Sequence, residues 1–170
     1  MSHALFNLTS LNPAHDRAAF CSDSETLNRY LREYAMQDIR RRVTACFVAM
    51  SGDRRIAGYY TLSSASLLLA DLPVSTAKKL PRYPTVPAVR LGRLAVDRTF
   101  KGQGLGGALL ADALDRAARS EITAFALIAD AKDDIAASFY THHGFTALPN
   151  APYTLFLPLA TILAARNSAF

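Results

Sequence analysis

Two apolar periods divide the chain. Leu27, Tyr30, Leu31, Tyr34 and Ala35 recur three and four residues apart, which predicts a helix over 25–42 with that stripe toward a core. Ser22-x-x-Glu25 at its start reads as a capping box. A second helical stripe covers 105–119. A third covers 133–142, with Ile135, Ala136 and Phe139 on one face and Gly144 placed to end it. Short β-rich runs predict strands at 5–8, 45–50, 56–66, 89–96, 123–130 and 153–157, with Pro158 stopping the last. Four prolines between Pro73 and Pro87 mark an irregular connection rather than a linker between domains. Strands interleaved with helices in this order make one α/β sandwich.

Composition narrows the setting. At 170 residues the chain suits one domain with a real core. Half of it is hydrophobic, yet no run approaches the roughly 18 unbroken apolar residues of a membrane span. Asn7, Thr9, Asn12 and His15 interrupt anything resembling a signal peptide. Cys21 and Cys46 lack metal or redox spacing and read as small buried hydrophobes in a reducing compartment. The expected location is the cytoplasm, with no membrane partner.

The densest chemical signal is Lys101-Gly102-Gln103-Gly104-Leu105-Gly106-Gly107, four glycines in seven residues between a strand and a helix. Glycine tolerates positive φ and leaves backbone N–H groups unshielded. The helix that follows adds unpaired first-turn N–H groups and the positive end of its dipole. Such a turn cradles phosphate oxygens. The P-loop pattern fails, because Gly107-Ala108 stands where Lys-Ser/Thr is needed, and the dinucleotide fingerprint is only a weak match. A plain glycine turn joining strand to helix also fits the local pattern.

Downstream lies Phe139-Tyr140-Thr141-His142-His143-Gly144-Phe145. The Lys-Gly-Gln-Gly-Leu-Gly turn resembles the acetyl-CoA signature of the GNAT superfamily of N-acetyltransferases, and Phe-Tyr-x-x-x-Gly-Phe resembles its closing motif. Lys101 stands where Arg or Gln is usual. Leu27-Asn28-Arg29-Tyr30-Leu31, Cys46-Phe47-Val48, Gly58-Tyr59-Tyr60-Thr61-Leu62-Ser63, Leu91-Gly92-Arg93-Leu94-Ala95-Val96-Asp97 and Leu155-Phe156-Leu157 extend the likeness over about residues 5–160. Their order is similar to GNAT toxins of type II toxin–antitoxin systems, which acetylate the amino group of aminoacyl-tRNA. The resemblance implies a GNAT fold: a mixed central sheet flanked by helices on both faces, a single domain over 1–160 with a tail over 161–170. It also implies acetyl-CoA as cosubstrate, a ribbon-helix-helix antitoxin, a homodimer, and operator DNA only through the antitoxin complex.

Charge agrees with a polyanionic acceptor. The net charge is +5, and residues 1–90 carry twelve Lys/Arg against seven Asp/Glu whereas 91–170 balance at seven each. The excess therefore lies away from the glycine turn and needs an anion other than CoA. At about 100° per residue, Arg29, Arg32 and Arg40 fall within an arc of roughly 80° opposite the apolar stripe. Arg41 and Arg42 extend that arc. Lys78, Lys79, Arg82, Arg90 and Arg93 form a second cluster. Arg29, Arg40, Arg41, Arg42, Lys78, Lys79, Arg90 and Arg93 are the candidate RNA contacts, reading shape and charge rather than bases. A solvated helix face would look the same.

The resemblance assigns the chemistry. Tyr140 becomes the acid for the departing thiolate, a phenol near pKa 10 facing a thiol near 8.5. Read without the family it could equally be a packing residue beside Phe139. Leu94, Ala95 and Val96 would pair with the pantetheine arm, and a backbone N–H there could polarise the thioester carbonyl. Lys101, Gly102, Gln103, Gly104, Leu105, Gly106 and Gly107 would hold the diphosphate, with Lys132 as a further phosphate contact. Asp133 stands near a position where the superfamily often has Asn. His142 and His143 lack an orienting partner and read as solvated, and no metal-ligand spacing stands out. Two rivals remain: a GNAT enzyme for a small-molecule or protein amine, and a non-catalytic acyl-CoA-binding module.

Overall fold

Alternating burial along the strands builds a seven-stranded sheet in this computed structural model, which describes residues 6–168. In chain order the elements are β1 (Asn7–Ser10), α1 (Glu25–Arg29), a π-helical turn (Tyr30–Tyr34), α2 (Ala35–Arg40), β2 (Ala45–Met50) and β3 (Ile56–Leu68). Then come α3 (Val74–Ala77), β4 (Thr85–Val96), α4 (Leu105–Ala118), β5 (Ala126–Asp130), α5 (Asp134–His142), β6 (Thr146–Leu148), β7 (Ala151–Pro158) and α6 (Leu159–Ser168). The strand order is β1-β2-β3-β4-β5-β7-β6. β4 and β5 pair in parallel, while β1 with β2, β2 with β3, and β7 with both β5 and β6 pair antiparallel, so the sheet is mixed as expected.

Two compact units share these elements, residues 1–63 with 92–113 and residues 64–91 with 114–170. In the first, Leu31, Ala35, Val48 and Tyr59 are buried where the helical stripe meets β2 and β3. Full burial of such side chains contributes about 1.5–3 kcal/mol each. In the second, Ala126, Ile128 and Phe156 pack with Leu67, Val86 and Leu148.

Several boundaries moved for readable reasons. The first strand occupies Asn7–Ser10, and Leu5 of the expected 5–8 lies outside the described residues. β4 begins at Thr85 because Val86 and Ala88 already alternate inward, and Pro87 accepts from the Phe125 N–H (2.8 Å) without needing a donor of its own. Pro158 ends β7 from within, opposite Ala126. β5 is shorter than expected, starting at Ala126. β6, three residues long, carries too little alternation to be read.

The largest local correction concerns the basic helix, which is not one α-helix. Its middle is a π turn, so a constant 100° step cannot carry from Arg29 to Arg40 and the 80° arc does not hold. The cap is also different: Ser24 is the N-cap, its hydroxyl accepting from the Leu27 N–H at 3.3 Å. Ser22 instead is buried with Asn28, donating through Oγ to Asn28 Oδ1 at 2.7 Å. Of the two cysteines, Cys46 is buried as expected and Cys21 is exposed. No helix among the described residues is long and apolar enough to cross a membrane.

Candidate active site

The glycine turn is built from the end of β4. Asp97, 2% exposed, accepts from the Cys21 N–H (2.9 Å), the Thr99 N–H (2.9 Å) and the Thr99 hydroxyl (2.7 Å). Burial alone would raise its carboxyl, but these donors outweigh it and hold the group below the usual carboxylate range. So anchored, Asp97 caps a short 3₁₀ turn, Arg98–Phe100, that delivers the chain to Lys101.

Gly102 and Gly104 then take φ of +78° and +75°, a region L side chains rarely adopt. A Cβ at either would meet nothing within 4 Å, so the approach to this backbone is clear. α4 starts at Leu105, and its Ala108 N–H donates back to Gly104 O at 3.1 Å. The N–H groups of Leu105 and Gly106 precede that bond at the positive end of a fourteen-residue helix. Buried Leu105, Leu109 and Leu110 hold the helix in place. Gly58 of β3 sets the spacing: a Cβ there would lie 2.9 Å from Leu109 Cδ1 and 3.0 Å from the Ala95 carbonyl. An open backbone turn on a helix N-terminus fits a diphosphate. Leu94 and Val96 are half-buried and Ala95 is buried, all just before the turn. Lys101 is exposed and already ion-paired with Asp23, which also binds Arg98 at 3.1 Å.

The same unit holds most of the arginines. Arg29 pairs with Glu33 and lies 5.9 Å from the Tyr34 ring centroid. Arg93 sits over the Tyr30 ring, whose hydroxyl donates to Asp38 Oδ2 at 2.8 Å. Tyr30 in turn stacks on Tyr59, and the Tyr59 hydroxyl donates to Leu27 O at 2.7 Å. Arg40, Arg41 and Arg42 are exposed at the end of α2, with Arg42 at φ +60°. The sequence pattern singled out Tyr30 only as a core residue. Its role as a platform under Arg93 depends on the π turn, which leaves no signal in apolar spacing.

In the second unit, Tyr140 lies on α5 and is 6% exposed. Phe139 and Phe145 flank its ring at centroid distances of 5.3 and 5.4 Å. The Phe145 N–H closes back to Tyr140 O at 3.1 Å, and Gly144 takes φ +96° just past the helix, as the sequence predicts. Burial, with the nearby Asp130 charge, pushes the Tyr140 phenol up to about 12. Its hydroxyl has no hydrogen-bond partner among the described residues, so Tyr140 is a protonated donor throughout the neutral range. Asp133 caps α5, accepting from the Ala136 N–H at 2.8 Å. His142, His143 and Lys132 are exposed. Lys78 and Lys79 are exposed just after α3, while Arg90 is ion-paired with Asp130.

The sequence model of the Acetyltransferase (GNAT) family matches residues 9–145. A tRNA-acetylating toxin from Mycobacterium tuberculosis (strain ATCC 25618 / H37Rv) is 37% identical over 149 residues, covering 86% of this chain and 88% of its own length. A solved structure of AtaT complexed with acetyl-methionyl-tRNAfMet is similar at TM-score 0.88 and 29% identity, over 94% of this chain and 98% of that one. A mutant AtaT toxin bound to the C-terminus of the antitoxin AtaR is similar at TM-score 0.81 and 25% identity, over 95% and 98%.

Proposed function

This chain belongs to the acetyltransferase (GNAT) family, with acetyl-CoA as acyl donor, and we propose that its acceptor is the α-amino group of aminoacyl-tRNA, so that it acts as a toxin blocking translation. The observation that carries this reading is the near full-length match to a tRNA-acetylating toxin at 37% identity. Exposed Arg40–Arg42, Lys78 and Lys79 supply cations suited to a polyanionic acceptor. An acetylated α-amine cannot attack in peptide-bond formation. Translation places the action in the cytoplasm, with a ribbon-helix-helix antitoxin as the neutralising partner, a homodimer as the assembly, and operator DNA met only through the antitoxin complex.

Acetyl-CoA supplies an activated acyl carbon. The Gly102–Gly107 backbone, with Lys101, Gln103 and Leu105, holds the diphosphate, and Leu94, Ala95 and Val96 pair with the pantetheine arm. The acceptor amine, with an ordinary pKa near 8, is largely neutral at physiological pH and needs little base. Its nitrogen forms the C–N bond as the C–S bond breaks, and the nitrogen loses one proton to solvent. Tyr140 gives the sulfur a proton and regains one from solvent, so the net transfer is one proton from nitrogen to sulfur. With its phenol raised to about 12, Tyr140 acts first as a hydrogen-bond donor to the developing thiolate and completes transfer as the bond breaks.

The deciding assay mixes protein and labelled acetyl-CoA with total charged tRNA, beside uncharged tRNA, polyamines and a lysine-rich protein. Label entering only charged tRNA, and falling about 10²–10³-fold in Tyr140→Phe, is the expected result. Label on a polyamine or protein instead removes the toxin reading and keeps the acetyltransferase. No transfer to any acceptor removes the catalytic reading.

A further inference from the structure

Thr61 carries a buried polar atom that nothing inside the protein satisfies. The residue is 1% exposed, and its Oγ1 has no hydrogen-bond partner. A buried hydroxyl left alone destabilises a fold, so its presence calls for a reason. The strand gives its direction. Side chains alternate along β3. Tyr60 reaches across to Asp112 of α4, whereas Tyr59 packs on Tyr30. Thr61 therefore shares the face of Tyr59 and Tyr30, opposite the face on which Gly58 meets Leu105 and Leu109 of α4.

What lies over the hydroxyl is an absence of side chain. A Cβ on Gly92 would sit 3.4 Å from Thr61 Oγ1 and meet nothing else within 4 Å. Gly92 is exposed, and its φ is outside the left-handed region, so the backbone there does not require glycine. Space is the remaining reason. Missing one methyl at Gly92 leaves a notch, open to solvent, with the Thr61 hydroxyl at its floor. The next residue, Arg93, is held on the Tyr30 ring.

We infer that the notch formed by Gly92 over Thr61 is the acceptor-end subsite, in which the Thr61 hydroxyl donates a hydrogen bond to the carbonyl oxygen of an aminoacyl ester. The inference rests on the aminoacyl-tRNA reading above. A notch one methyl wide admits an oxygen atom and little more. In an aminoacyl ester the carbonyl carbon is bonded to the carbon that bears the amine, so fixing the carbonyl oxygen fixes the direction of the nucleophile. A polyamine has no such carbonyl, and the subsite distinguishes the two.

The test compares Thr61→Val, Thr61→Ser and Gly92→Ala by kcat/KM with charged tRNA, and with an amino-acid methyl ester beside a simple primary amine. Thr61→Val keeps the shape and removes the hydroxyl. A fall of tenfold or more on charged tRNA and methyl ester, with KM for acetyl-CoA and melting temperature held or improved, is expected. Thr61→Ser should stay within about threefold of the parent, and Gly92→Ala, which fills the notch, should fall with Thr61→Val. Parental kcat/KM in both Thr61→Val and Gly92→Ala overturns the subsite, and so does a loss confined to KM for acetyl-CoA. If the parent itself transfers nothing to charged tRNA or ester, the acceptor reading fails first. The variants are then read on the amine it does modify, where equal loss on a carbonyl-free amine removes the carbonyl contact.

Discussion

The guanidinium of Arg93 lies 3.5 Å from the centroid of the Tyr30 ring, and the Tyr30 hydroxyl is fixed by Asp38. An arginine at the end of a conserved-length strand turn is thereby held by an aromatic residue that a π turn rotates into place. A partly desolvated cation–π contact contributes about 0.5–2 kcal/mol. Lysine keeps the charge but not the planar face. Arg93→Lys should therefore lower stability by about 1 kcal/mol in urea denaturation, and Tyr30→Leu in the Arg93→Lys background should add less than it does alone. Additive losses would separate the two residues.

Asp23 neutralises a lysine that the cradle wants free. It binds both Lys101 and Arg98, and hydrogen bonding from Lys101 chiefly lowers its carboxyl pKa. In Asp23→Asn the Lys101 ammonium turns to whatever anion the Gly102–Gly107 turn holds. KM for acetyl-CoA should fall by about two- to fivefold, and the gain should shrink with added salt, since exposed charges are screened. Lys101→Ala should raise KM and abolish the effect of Asp23→Asn. Identical KM values in all three proteins would take Lys101 out of the phosphate site.

The contrast between what could be read and what could not follows from range. Gly102, Gly104 and Gly144 were legible because positive φ is a local demand that glycine meets wherever it falls. Tyr140 was legible through a short motif, but its raised pKa was not, because that comes from packing by Phe139 and Phe145 and the charge of Asp130. The basic helix was read correctly in its buried stripe and wrongly in its exposed arc. One π turn hardly disturbs apolar residues near the axis of contact, yet it shifts the phase of everything beyond it. Pairings such as Asp23 with Lys101, 78 positions apart, leave no trace in spacing.

Alkaline pH should loosen this fold earlier than acid. Burial raises the phenols of Tyr30 and Tyr59, and lifts Tyr140 and the Cys46 thiol to about 12. A raised pKa means the unfolded chain loses its proton first. The stability each group contributes is full below its unfolded value, near 9 for Cys46 and 10 for the tyrosines, and is lost as pH rises through its folded value. Melting temperature followed by circular dichroism should hold to about pH 9 and then decline through pH 11. Cys46→Ala should flatten the first part of that decline, and a parental slope between pH 9 and 10 would remove Cys46 from the cause.

Arg42 and Arg54 both adopt left-handed backbone, at φ of +60° and +65°, where a Cβ is crowded by about 1–2 kcal/mol. Both are exposed, one closing α2 and the other in the turn before β3. Glycine relieves the crowding at either position, offset in part by its greater chain entropy. Arg42→Gly and Arg54→Gly should each raise stability by about 0.5–1 kcal/mol. Only Arg42→Gly should weaken binding to tRNA, because Arg42 continues the run from Arg40 whereas Arg54 stands apart from it. The quantity to measure is the slope of log K against log salt, which shrinks by about one for each phosphate contact removed. A fall of about one in Arg42→Gly, with Arg54→Gly at the parental slope, assigns Arg42 to the RNA surface. Parental slopes in both proteins would leave strain at Arg42 without that function.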